Sequence, residues 1–211
     1  MPVMRKKTYA NKKRYTRVTK RYPRTYRKPR TEFKALDIQS QSIAVNTTGA
    51  VTPIVGIAGG ADINQRIGNQ VANRSYDFKG YIEADASATA NQVCRIMFIW
   101  DTDPAGAAAT LSQIFGTPTP TVNTERNLAY RNRFIIMKDM RVPLAPVGQD
   151  GSIRSVKWYR KMYKTTTYIN NLGTIAAISK GVMLLVTFGS VVSGSADAQL
   201  RYDIRQRYTD N

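Results

Sequence analysis

Polar and apolar residues alternate with a period of two along several short segments of this 211-residue chain. Residues 75–85 read SYDFKGYIEAD, which places apolar and charged side chains on opposite sides and predicts a half-buried strand. Residues 198–208 alternate in the same way. Residues 92–101 are continuously apolar instead, so we expect a central strand covered on both faces.

Other short apolar runs, each bounded by turn-forming residues, predict five further strands at 33–45, 133–144, 153–169, 174–178 and 181–188. The one helical signal is Asp103-Pro104 followed by AGAAATLSQIF, with Asp103 as N-cap. Strands that are not separated by regular helices disfavour parallel βαβ units. The pattern therefore predicts an all-β fold, an eight-stranded antiparallel sandwich of the jelly-roll type.

The strand within residues 153–169 carries a basic group formed by Arg154, Lys157, Arg160, Lys161 and Lys164. In an extended conformation Lys157 and Lys161 share one face with two tyrosines, and the apolar residues share the other. Lysines on such a strand protect a sheet edge against association. They can equally extend a phosphate-binding surface, and the sequence leaves both interpretations open.

The first thirty residues differ from the rest, since they hold thirteen Lys or Arg side chains, four tyrosines and no carboxylate. Without an apolar face to bury, this arm is predicted to be disordered in isolation and to bind nucleic acid with little sequence preference. Its tyrosines favour unpaired bases by stacking. The candidate nucleic-acid-binding residues of the arm are Arg5, Lys6, Lys7, Lys12, Lys13, Arg14, Arg17, Lys20, Arg21, Arg24, Arg27, Lys28 and Arg30.

Charge divides the chain into two parts. The whole chain carries a net charge of +18, and the first thirty residues supply +13 of it. The net charge of residues 31–211 is therefore only +5, close to that of an ordinary domain. We expect residues 1–32 to form a basic Arg/Lys/Tyr arm and residues 33–211 to form one domain with a proper core. Lysine and arginine clusters in the arm also fit recognition by host nuclear import factors.

Composition excludes several classes of function. The chain has no histidine, which removes serine-histidine and cysteine-histidine catalysis, and it shows no enzyme motif. The single cysteine, Cys94, lies in an apolar run and is predicted to be a core residue. No apolar stretch is long enough to cross a bilayer, and no secretory signal precedes the arm, so we expect no membrane partner.

Four segments carry a resemblance to a known family: GGADINQRIGNQV (59–71), RIMFIWD (95–101), RFIIMKDMRV (133–142) and a closing YTD (208–210). In this order, over residues 33–210, the chain resembles the small single-jelly-roll capsid proteins of satellite tobacco necrosis virus and of Rep-encoding circular single-stranded DNA viruses. The most specific piece is DINQR-x-G-x-Q. The arm is similar in style to the circular-DNA viruses.

The resemblance implies a self-assembling capsid protein of a small icosahedral shell, with T=1 symmetry and about sixty copies in its simplest form. It implies a packaged single-stranded genome, expected to be circular DNA, with the arms facing inward on it. Lys157 and Lys161, from the strand pattern, are the candidate genome-binding residues of the domain. It also implies a location in the virion, and in the host nucleus during assembly. The alternatives are a coat protein of a satellite-type single-stranded RNA virus and a cellular nucleic-acid-binding protein with a basic tail.

Satellite-virus relatives hold calcium between subunits, and the resemblance carries this site onto named positions. Asp210 matches one carboxylate, Glu32 is a second candidate, and Ile67 and Gln70 fall where carbonyl ligands lie. Oxygen-only ligation is the chemistry that calcium prefers. Ala61 replaces the first aspartate of the family's DDINQR pattern, which removes one further acidic ligand. Apart from this calcium, no cofactor is expected.

Overall fold

Nine strands in two antiparallel sheets make up most of the structure, a computed structural model that describes residues 33–194 and 196–210. The strands are β1 (Lys34–Val45), β2 (Ala50–Ile54), β3 (Gln70–Glu83), β4 (Gln92–Asp101), β5 (Phe134–Leu144), β6 (Ile153–Tyr168), β7 (Ile178–Lys180), β8 (Val182–Gly189) and β9 (Ala198–Asp210). One short helix, α1 (Leu111–Phe115), and two single turns of 3₁₀-helix complete the described elements. The predicted arm, residues 1–32, lies outside the described residues.

The strand pairing is that of a jelly roll. One sheet has the order β1-β9-β3-β6-β7 and the other β2-β8-β4-β5. Setting aside the three-residue β7, β1 pairs with β9, β2 with β8, β3 with β6 and β4 with β5. A long hairpin wrapped around itself produces this nesting. The predicted all-β antiparallel jelly-roll class is confirmed.

Two strand predictions need correction. Strand β2 was not predicted; it is a five-residue edge strand that contains Pro53 and, among the described strands, pairs with β8 alone. Proline is tolerated there because an edge strand leaves one side of its backbone unpaired. Residues 174–178 were predicted as a strand, but residues 175–177 form a 3₁₀ turn and β7 begins at Ile178. A five-residue apolar segment without alternation is too short for its pattern to distinguish a strand from a 3₁₀ turn.

The predicted helix start at Asp103 is wrong. Ala105 and Gly106 adopt positive φ angles of 49° and 80°, so the chain turns there instead of entering a helix. Helix α1 has Thr110 as its N-cap, seven residues after the predicted N-cap Asp103. The Thr110 hydroxyl accepts the Gln113 N–H at 3.3 Å, and the Gln113 side chain accepts the Thr110 N–H at 3.1 Å, which is a complete capping box.

The core lies between the two sheets and is built from their inward-facing side chains. Phe98 on β4 stacks on Trp158 of β6, with ring centroids 4.2 Å apart, and meets Phe78 of β3 edge-on at 4.9 Å. Cys94 is buried and free, as predicted, and burial raises the pKa of its thiol to about 12. In the described part of the chain, no helix is long and apolar enough to span a membrane.

Candidate nucleic-acid interface

The outer face of the five-stranded sheet carries the basic residues predicted from the sequence. On β6, Val156, Trp158 and Met162 are buried in the core, as predicted. Strand alternation therefore turns the residues between them outward, where Tyr159 and Tyr163 are 54% and 83% exposed. We call the four outward residues Lys157, Tyr159, Lys161 and Tyr163 the Lys–Tyr face. Neither lysine makes an ion pair with a described residue.

The other members of the basic group do not join the Lys–Tyr face. Arg160 donates from Nη1 to the carbonyl of Met137 on β5, at 3.0 Å, and so bridges the side of the sandwich. The ammonium of Lys164 lies 5.9 Å from the ring centroid of the buried Trp100. Alternation along β6 separates these residues from Lys157 and Lys161, so the sequence cluster is split between two surfaces.

Lys79 is a further basic residue of this surface, and it is not among the residues predicted to bind nucleic acid. The register of β3 with β6 sets Lys79 directly opposite Lys157. Like charges in directly opposed positions destabilise a sheet, and here Asp77 offsets part of that repulsion by pairing with Lys79 at 3.5 Å. The alternation of residues 75–85 indicates that Lys79 points outward, but strand register, and hence its partner, cannot be read from one sequence.

On the same face, acidic side chains form ion pairs with the arginines of β9. Asp37 accepts two hydrogen bonds from Arg205, both 2.7 Å long. Glu83 accepts one from Arg201, also at 2.7 Å. The hydrogen bonds from Arg205 hold the pKa of Asp37 below its usual value. Asp77 of β3 lies opposite Tyr159 and forms an ion pair with Lys79 at 3.5 Å, so Lys157 and Lys161 are the lysines of this face without an ion-pair partner among the described residues.

Strand β6 is also an edge strand over most of its length. On one side it pairs with β3 throughout, and on the other it meets β7 only at Thr167 and Tyr168. This position satisfies the edge-protection interpretation of the lysines. Exposed tyrosines add nothing to edge protection, whereas rings alternating with ammonium groups suit a chain of bases and phosphates.

Among the predicted calcium ligands, Asp210 is the one carboxylate that lies in the described residues. Oδ2 of Asp210 lies 2.9 Å from the ammonium of Lys34, and Oδ1 is buried without a hydrogen-bond partner in the structure. Ile67 and Gln70 contribute no carboxylate, and Glu32 lies outside the described residues. Calcium needs six to eight oxygens, and here a lysine faces the single carboxylate. The calcium assignment therefore stays a prediction.

Acidic, sulfur and imidazole side chains do not gather into a metal-binding cluster in the part of the chain that the structure describes. Among residues 33–194 and 196–210, no group of three or more His, Cys, Asp or Glu side chains is placed to hold a metal ion. The arm residues predicted to bind nucleic acid, from Arg5 to Arg30, lie outside the described range. Of the predicted site residues, the structure thus brings together Lys157 and Lys161, to which it adds Lys79.

Comparison with known proteins gives one family. Residues 2–210 match the model of the "Geminivirus coat protein/nuclear export factor BR1 family". No curated protein matches the chain. Among solved structures, the chain is similar to a subunit of maize chlorotic mottle virus, with 14% identity, a TM-score of 0.36 and coverage of 85% of this chain and 92% of that one. It is also similar to a subunit of empty turnip yellow mosaic virus, with 12% identity, a TM-score of 0.37 and coverage of 98% and 89%.

Proposed function

This chain belongs to the geminivirus coat protein/nuclear export factor BR1 family, and on that basis we propose that about sixty copies of it form a T=1 icosahedral shell around a single-stranded genome. It is a viral capsid protein with a structural role, found in the virion. Its copies associate with one another and bind the genome. The fold agrees with this role, since the jelly roll is a common architecture of viral capsid subunits.

We propose that residues 33–211 enclose the genome and that residues 1–32 neutralise it. Thirteen positive charges on each of about sixty arms would offset on the order of a thousand phosphates, which suits a small genome. The Lys–Tyr face extends this surface onto the folded domain, with Lys157 and Lys161 on phosphates and Tyr159 and Tyr163 against bases. The arm's similarity in style to circular-DNA viruses favours DNA, and its basic clusters favour nuclear import before assembly.

One observation supports the contribution of the folded domain most strongly. Two lysines without an ion-pair partner in the described structure alternate with two exposed tyrosines along one strand, and a third lysine, Lys79, stands opposite and is paired with Asp77. Lys157 and Lys161 are four residues apart, so along the strand they lie about 13 Å apart, with Tyr159 about halfway between them. A surface evolved for solubility alone has no need of the exposed rings.

A double variant tests this proposal. Lys157→Gln with Lys161→Gln should weaken binding of a single-stranded oligonucleotide and lower the slope of log K against log salt by about 1.4, since each phosphate contact on a single strand contributes about 0.7. Binding is measured by fluorescence anisotropy across a salt series. The control is Lys138→Gln, an exposed lysine on β5 in the opposite sheet.

Tyr163→Ala provides the second measurement, because stacking on one base contributes about 1–3 kcal/mol. It should weaken binding to single strands more than to duplex of the same length, while leaving the salt slope unchanged. If the double lysine variant and the Lys138 control give the same slope as the unmodified protein, the folded domain takes no part in genome binding.

A further inference from the structure

Five large apolar side chains are exposed together at the end of the sandwich where β2 runs into β3 and β6 into β7. They come from three separate segments and are each between 59 and 68% exposed. We call this set the apolar patch: Phe33, Ile63, Ile67, Ile169 and Leu172. Residue 33 precedes β1, residues 63 and 67 belong to the β2–β3 connection, and residues 169 and 172 follow β6.

Backbone hydrogen bonds hold the three segments beside one another. The N–H of Ala35 donates to the carbonyl of Ile63 at 3.2 Å, which links the start of β1 to the β2–β3 connection. The N–H of Gly59 donates to the carbonyl of Asn171 at 2.8 Å, which links that connection to the β6–β7 loop. The three segments that carry the patch are therefore neighbours in the fold, although they span residues 33 to 172 of the sequence.

A buried arginine fixes the shape of these loops. Arg66 is 1% exposed, donates to the carbonyls of Gly68 and Asn170, and lies over the ring of Tyr168 with its guanidinium carbon 4.0 Å from the ring centroid. It thereby joins the β2–β3 connection to the loop after β6. The result is a rigid platform, and rigid surfaces lose little entropy when they bind.

The neighbouring residue Gln65 secures the other side of the same loop. Its carbonyl accepts hydrogen bonds from the ammonium of Lys34, at 3.0 Å, and from the hydroxyl of Tyr208, at 3.1 Å. The DINQR motif thus has a divided role: its Gln and Arg hold the fold, while Ile63 and the following Ile67 are left pointing outward. Folding of one subunit does not account for those two isoleucines.

The size of the patch fits contact with a protein surface. Five side chains about two-thirds exposed amount to on the order of 500 Å² of apolar area, comparable with the largest patch on a typical monomer. A standard interface buries about 800 Å² on each partner, so the patch would supply the apolar centre of one. A coat protein meets further copies of itself, which makes a second copy the natural occupant.

We propose that the apolar patch is a contact between copies of this chain in the assembled shell, centred on Ile63 and Ile67. The inference rests on the proposed function, because it assigns a surface to shell assembly. The buried Arg66 presents the isoleucines, and their burial against a neighbouring copy contributes to closing the shell. Each contact recurs around the shell, so a defect in one patch acts at every copy.

Substitution of one patch residue tests this assignment in the full-length protein. Ile63→Asp should leave the subunit folded, with an unchanged circular dichroism spectrum, and should lower the yield of particles roughly tenfold or more, because each contact would bury an unpaired carboxylate. Ile169→Asp should do the same from the facing loop. Particle yield is measured by sedimentation and electron microscopy in the presence of single-stranded DNA.

The matched control is Leu128→Asp, since Leu128 and Ile63 are both 68% exposed and Leu128 lies on the β4–β5 connection outside the patch. The proposal predicts particles from the control and few from the patch variants. It is overturned if folded Ile63→Asp protein forms particles as well as the control does. If that variant also has a more protease-sensitive arm, the occupant of the patch is residues 1–32 of the same chain and not a second copy. If the unmodified chain forms no particles, the proposed function fails instead.

Discussion

Tyr168 and Arg66 show how one pair of residues joins stability to surface shape. The tyrosine ring is buried beneath the guanidinium, and desolvation raises the pKa of its hydroxyl to about 12 although the arginine charge acts in the opposite direction. A buried arginine is rarely expected from sequence, because arginine is among the residues most often exposed. Its partners are backbone carbonyls, which leave no mark in the amino-acid pattern.

The raised pKa of Tyr168 predicts a loss of stability in alkali. The unfolded tyrosine ionises near pH 10 and the folded one near pH 12, so between those values the unfolded state binds fewer protons than the native state. Stability from this residue is therefore complete below pH 10 and falls as the pH rises, by about 2 kcal/mol at pH 12. Urea denaturation of the isolated subunit at pH 8 and pH 11.5 measures the change.

Tyr168→Phe is the control for this prediction, because it keeps the ring under Arg66 and removes the ionising hydroxyl. The variant should lose less stability between the two pH values than the unmodified protein does. An equal loss in both proteins would show that Tyr168 is not protected from ionisation in the folded state.

At the level of elements, strands were predictable where their pattern was strong. Residues 92–101 form β4 with the predicted bounds, because a continuous apolar run between polar residues has one natural place, the middle of a sandwich. The short β2 and the start of α1 were not predictable. Pro53 argues against a strand at β2. The start of α1 depends on the left-handed turn at Ala105 and Gly106, which no periodicity in the sequence indicates.

The capping box of α1 predicts a measurable contribution from Thr110. Thr110→Ala removes the side chain that accepts the Gln113 N–H and should lower the free energy of unfolding by about 1 kcal/mol. Urea denaturation followed by tryptophan fluorescence gives the difference. Ser112→Ala, on the exposed side of the same helix, is the matched control and should change stability by less than about half that amount.

At the level of the whole molecule, charge and fold describe a protein of two parts. The sequence alone predicted a domain with a net charge of only +5 beside an arm of +13, and the family match agrees with a coat protein. Strand alternation predicted that Lys157 and Lys161 share one face, whereas the position of Lys79 beside them could not be predicted. Register alone brings Lys79 opposite Lys157, and strand alternation alone sends Arg160 away from the same face.

Deletion of residues 1–32 tests this division most directly. The nuclease-resistant nucleic acid per particle is measured by absorbance at 260 and 280 nm for the full chain and for residues 33–211, with thermal unfolding of both. We expect the shortened protein to unfold cooperatively at a similar Tm and to retain a small fraction of the nucleic acid. A shortened protein that cannot fold, or particles that hold as much nucleic acid without the arm, would contradict this expectation.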